Sequence, residues 1–184
     1  LGLEPWLRGA IAASGATAPV VEAAAGIAAR PGHDHEHEAA DPHAFHDVRN
    51  AQHYLRAIRD GLCAADPAAA ATYQARADLA LARLGVLDAW VRRQIAAVPA
   101  ARRVLVTPHP GLGYFAAAYG LELQATSVGG EAEARHVAGL VRLLRERGIP
   151  AVFRESGHAD GVLAAVAREA GAALAGPLAG DGPG

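Results

Sequence analysis

Arg102-Arg103-Val104-Leu105-Val106-Thr107-Pro108-His109-Pro110-Gly111 decides the fold of this chain. Three of the four residues at 104–107 are β-branched, which favours a short strand, and the prolines and glycine that follow end it in a loop. A helix carrying Leu112, Phe115 and Tyr119 comes next, then an apolar segment at 121–128 and a Gly129-Gly130 turn. Val137, Leu140, Val141 and Leu144 mark another helix stopping at Gly148, 149–153 another strand, 160–170 a helix ending at Gly171, and 172–178 a last apolar run. Alternating strand and helix predicts an α/β fold: a parallel sheet with right-handed crossovers and helices on its faces. Ligands of such sheets bind beyond the carboxyl ends of the strands. Three ionisable residues fall at those ends: His109, Glu155 and Asp181.

Upstream the pattern is helical. Asp66-Pro67 is a helix start, with the aspartate as cap and proline in the first turn. Tyr73, Ala77, Ala80, Leu84, Leu87, Val91 and Val98 keep a three-and-four spacing as far as Pro99, predicting about 45 Å of continuous helix at 1.5 Å per residue. No second heptad segment exists to pair with it as a coiled coil, so it reads as a strut between two lobes. Asp41-Pro42 gives the same start signal, followed by an apolar stripe of Val48, Ala51, Leu55, Ile58 and Leu62. Residues 1–30 hold an apolar patch of Leu3, Trp6, Leu7 and Ile11, then Pro19-Val20-Val21 as a possible strand, and read as the tail of a βα unit. The chain opens on Leu1-Gly2-Leu3-Glu4 without any methionine, which points to a sequence continuing upstream. The expected division is 1–65 as the remainder of a first lobe, 66–98 as a linking helix and 99–184 as a second lobe.

Six of the nine histidines lie between residues 33 and 53. Imidazole and carboxylate are donors that divalent ions such as zinc or manganese accept, so this density points to metal handling. His33, His35 and His37 alternate with acids and have no apolar neighbour to bury them; a mobile solvated loop over 31–40 is expected. His43 falls in a first helical turn, the setting of a pre-organised ligand or of an ordinary capping histidine. His46, three residues on, makes a possible metal pair with it. His109 stands between two prolines, with its backbone restrained and its ring accessible, as a site residue or an isolated loop histidine. Asp181 in Gly180-Asp181-Gly182 serves equally as a turn aspartate, and Glu155 as the partner of an arginine.

The formal net charge is −2 and the arginines are scattered, which excludes nucleic acid as the main partner. Charged residues interrupt every long apolar run, so no transmembrane helix is expected. Cys63 is single and reads as a packed helical residue. No His-Glu-x-x-His, Gly-x-Ser-x-Gly, Walker loop or dinucleotide fingerprint is present. Ser156 and His158 do not make a nucleophile and base, because neighbours two apart do not converge and no acid is placed to orient the histidine.

Asp41-Pro42-His43-Ala44-Phe45-His46-Asp47-Val48-Arg49-Asn50, Arg103-Val104-Leu105-Val106-Thr107-Pro108-His109 with Gly113-Tyr114-Phe115, and Phe153-Arg154-Glu155-Ser156 resemble the zinc- and manganese-binding solute-binding proteins of ABC transporters. The likeness runs along nearly the whole chain. It implies two α/β lobes joined by one long rigid helix, with a metal held between them, and a first lobe that is incomplete here. By position it implies His43, His109 and Asp181 as metal ligands, with a further histidine upstream of Leu1. A histidine-rich loop and an imidazole at 109, where manganese binders often carry glutamate, favour zinc over manganese. The resemblance further implies a monomeric, periplasmic or lipid-anchored carrier that hands its ion to a membrane permease and performs no chemistry. The alternative from another class is a metal-dependent hydrolase, with His43 and His46 holding the ion and Glu155 activating water.

Overall fold

The computed structural model describes residue 4 and residues 6–32, 40–126 and 133–180. It divides into two compact units, Leu1–Arg92 and Arg93–Gly184.

The first unit is helical: α1 (Leu7–Ala13), α2 (Val48–Ala65) and most of α3 (Ala70–Ala96). Asp41 does not cap α2, contrary to the sequence expectation. The helix starts seven residues later, where the Asp47 carboxylate accepts from the Arg49 N–H at 2.9 Å and pairs with the Arg49 guanidinium at 2.7 Å. Residues Ala44–His46 form a separate 3-10 turn before it. A residue in extended backbone whose carboxylate reaches the first unpaired N–H makes the better cap, and Asp47 has both features. Asp41 instead holds His43. The second start is where the spacing put it: Asp66 accepts from the Ala69 N–H at 3.3 Å, and Pro67 opens a 3-10 turn that leads into α3.

Helix α3 runs unbroken through Gly85 for 27 residues, about 40 Å. Ala77 is its buried residue; Leu79, Val86 and Trp90 remain more than half exposed. No strand forms at 19–21, which corrects the βα reading of the N-terminal stretch. A strand needs a neighbour to satisfy its N–H and C=O groups, and the described part of this unit supplies none. Val21 packs on α2 instead, so close that a Cβ at Gly61 would meet it at 2.3 Å. An antiparallel bridge between Pro31 and Ala40, beside an Asp41 N–H to Arg30 carbonyl bond of 2.9 Å, closes the base of the segment carrying His33, His35 and His37. Those three histidines lie outside the described residues.

The second unit alternates as expected: β1 (Val104–Thr107), α4 (Gly113–Tyr119), β2 (Glu122–Ala125), α5 (Glu133–Arg147), β3 (Ala151–Glu155), α6 (Gly161–Ala170) and β4 (Ala173–Leu178). β1 pairs parallel with β2, and β3 parallel with β4. The two pairs abut at β1 and β3, giving the spatial order β2-β1-β3-β4. All four residues of β1 are buried, as a strand covered on both faces requires. The core joins Val104 and Val106 to Leu140 and Leu144 of α5, Val152 of β3, and Leu163 and Val166 of α6. Gly120, Gly148 and Gly171 end their helices in the left-handed conformation.

In this order the chain runs outward in opposite directions from β1 and from β3, so the crevice at their carboxyl ends is the topological switch point. His109 follows β1 and Glu155 ends β3. The end of β3 is shaped by a bulge: Phe153 pairs with Ala175 but Glu155 with Leu178, so β4 carries one extra residue. Gly176 occupies that place at φ +98°, and a Cβ there would stand 2.8 Å from the Arg154 carbonyl oxygen. Gly176→Ala is expected to destabilise the protein by about 1–3 kcal/mol, seen as a lower midpoint in urea; an unchanged midpoint would mean the bulge is not needed.

Candidate metal centre

The loop after β1 is tied down on both sides of His109. The Thr107 hydroxyl donates to the His109 carbonyl at 2.7 Å, the Thr126 N–H donates to the Thr107 carbonyl at 2.9 Å, and the Gly113 N–H donates to the Pro110 carbonyl at 3.2 Å. Gly111 leaves room for the imidazole, since a Cβ at this position would lie 2.3 Å from the ring. His109 Nδ1 is 2.9 Å from Glu155 Oε2. The Glu155 side chain is fully buried, and its second oxygen, Oε1, has no hydrogen-bond partner among the described residues. Gly180 presses on the same carboxylate: a Cβ there would meet Oε2 at 2.6 Å.

In the tautomer in which Nδ1 donates to Glu155, Nε2 is the ring nitrogen that carries the lone pair. A carboxylate behind an imidazole in this way fixes ring and tautomer and raises the basicity of the ligating nitrogen. The first unit repeats the device. His43 Nδ1 lies 2.7 Å from Oδ1 of the buried Asp41, and the same oxygen accepts from the His43 N–H at 3.0 Å. Asp41 therefore sets both backbone and ring of His43. The first lesson of the Asp-Pro-His sequence is not a helix cap but a carboxylate clamped onto a histidine.

A third histidine joins the second of these pairs. The His158 ring stacks on His109, centroids 4.3 Å apart and planes within 10°. Among the described residues, His109, Glu155 and His158 each offer one donor atom within 4.8 Å of the others. Sequence reasoning set His158 aside because Ser156 and His158 do not converge on each other. The useful signal was the turn: Gly157 at φ +85° lets the chain reverse, and the His158 N–H returns to the Glu155 carbonyl at 3.3 Å. Asp181 lies outside the described residues.

Such a donor set, imidazole backed by carboxylate, can hold a divalent ion of borderline softness without any catalytic group. Comparison with known proteins agrees with that chemistry. Residues 1–183 match the family described as ZnuA, zinc-uptake complex component A, periplasmic. The zinc-binding protein TroA of Treponema pallidum (strain Nichols) is 39% identical over 119 residues, covering 63% of this chain and 39% of that protein. The manganese-binding lipoprotein MntA of Halalkalibacterium halodurans is 31% identical over 187 residues, covering 100% of this chain and 61% of that protein. Among solved structures, the periplasmic zinc-binding protein TroA from Treponema pallidum superposes with a TM-score of 0.81 at 30% identity, covering 100% of this chain and 69% of that one. The chain thus spans less than two thirds of the length of these two curated relatives. No helix among the described residues is long and apolar enough to cross a membrane. These matches are to transport binding proteins rather than enzymes, and the hydrolase alternative falls away with them. From the match over residues 1–183, the chain belongs to the ZnuA family of metal solute-binding proteins that serve ABC transporters.

Proposed function

We propose that the protein of which this chain is part binds one divalent metal ion outside the cytoplasm as cargo, with zinc preferred, and delivers it to an ABC permease. His43, His109 and Asp181 are the proposed ligands. The observation that carries this reading is the repeated carboxylate-backed histidine, Asp41 on His43 and Glu155 on His109. Outer carboxylates of this kind accompany metal-ligating histidines, and without a metal role the buried Glu155 would be an expensive group to keep. The choice of zinc rests on donor type, since two imidazoles suit zinc better than the oxygen-rich sets that suit manganese. Printed names of relatives divide between the two metals. Asp181 is proposed from the resemblance.

A direct test is the pH dependence of zinc affinity. Protons compete with metal for imidazole, so affinity should fall steeply between about pH 7 and 5, the range in which imidazoles take up a proton. A site made chiefly of carboxylates loses less over the same range. Competition titrations with zinc and manganese at stepped pH would measure both. Flat zinc affinity across the range would rule out His43 and His109 as joint ligands.

A further inference from the structure

We propose that His158 is a further ligand to the metal cargo, placing a second imidazole beside His109 and strengthening the preference for zinc over manganese. This rests on the cargo site proposed above and names a residue that the family resemblance did not.

His158 stands in the link between β3 and α6, which opens at the carboxyl end of β3, so it belongs to the same switch-point crevice as His109. Its backbone is set by the turn through Gly157 and by the start of α6 two residues on, where the Ala164 N–H donates to the Asp160 carbonyl at 2.8 Å. A half-buried histidine held there is not a free surface group.

Two imidazoles on one zinc ion at about 2.0–2.1 Å have their nitrogens roughly 3 Å apart, in a four- or a five-coordinate shell. The donor atoms of His109, Glu155 and His158 already lie within 4.8 Å of one another, with parallel rings at 4.3 Å. An imidazole donates in its own ring plane, so to share one ion with His109 the His158 ring must turn out of this stack, breaking the parallel arrangement. The Oε1 of the buried Glu155, which has no hydrogen-bond partner among the described residues, is the second, independent observation that points to a cation here. A buried carboxylate oxygen lacking a donor is costly in the protein alone and becomes favourable beside a dication, whether it ligates the ion or stays behind His109.

Chemistry then sets the preference. Nitrogen donors raise affinity for zinc more than for manganese, which prefers oxygen. A stacked histidine could also act purely by packing against His109, and the variants must separate the two roles. In the full chain, His158→Ala and His158→Phe should each lower zinc affinity by about 100-fold or more, beyond the roughly 10- to 100-fold of an outer partner, with a smaller change for manganese. His158→Asp, which restores a donor but with oxygen, should move the zinc-to-manganese ratio toward manganese. Cobalt(II), loaded as a spectroscopic stand-in, should show a changed d–d band in the Ala and Phe variants. Thermal melts of the metal-free variants check that each is folded. If His158→Phe keeps wild-type zinc affinity and an unchanged cobalt band, His158 only packs and the proposal is overturned while the His109 site stands. If His109→Ala also leaves zinc binding intact, both the proposal and the cargo site beneath it fall.

Discussion

His43→Ala and His109→Ala are each expected to reduce zinc affinity by two orders of magnitude or more, whereas deleting residues 33–37 should leave it within about tenfold. The difference lies in the entropy of ordering. A histidine in a solvated acidic run must give up roughly 1–2 kcal/mol of backbone freedom per residue when it binds. His43 and His109 are already oriented through Nδ1 by Asp41 and Glu155, at 2.7 and 2.9 Å. On the proposed site each ring is already oriented, so each substitution should remove both a donor and its preparation. Calorimetric titration of the three variants beside the parent decides the matter. Equal losses would make the histidine run the principal site, and a larger loss from the deletion would reverse the assignment.

The second large effect is a change of opposite sign in stability and function at one residue. Glu155→Gln keeps the shape of the side chain and an oxygen to accept from His109, yet removes a buried charge whose Oε1 lacks a partner among the described residues. Leaving a buried polar group unsatisfied costs about 1–3 kcal/mol, and more for a charge. Metal-free Glu155→Gln should therefore match or exceed the parent in thermal midpoint. Zinc affinity should nonetheless drop 10- to 100-fold, because a neutral amide polarises His109 less and compensates no positive charge. Loss of both stability and affinity would mean that Glu155 is a structural ion-pair partner of His109. Gain of stability with unchanged affinity would remove it from the site altogether.

The second unit was the more legible part of the chain, for a physical reason. Its strands are short β-branched or apolar runs bounded by Gly and Pro, as at Val104–Thr107, and its helices end at glycines whose positive φ the structure shows at 120, 148 and 171. Local signals and tertiary packing agree there, so His109 and Glu155 could be placed at strand ends before their contact was known. The first unit was harder. Asp41-Pro42 and Asp47-Val48 both carry a helix-start signal, and the choice between them depends on Asp41 being engaged by His43, which spacing does not reveal. Val20 and Val21 have strand-forming side chains, but pairing is non-local and the described residues of that unit offer no partner. His158 was passed over because its partner is a ring from another strand end, 49 positions away in sequence, brought to 4.3 Å by the sheet. Leu79, Val86 and Trp90 on α3 show the limit of periodicity: the stripe predicts the helix, but not whether its face is covered.

Carboxylate-backed imidazoles, rather than the histidine-rich run, are the groups proposed to hold the cargo. The most direct measurement is a crystal structure of the zinc-loaded protein with anomalous diffraction recorded on both sides of the zinc edge. One strong peak is expected about 2.0–2.1 Å from Nε2 of His109, with Nδ1 of that ring still on Glu155 and His43 contributing its own Nε2 to the same ion. A peak on His33, His35 or His37, with none at His109, would contradict it.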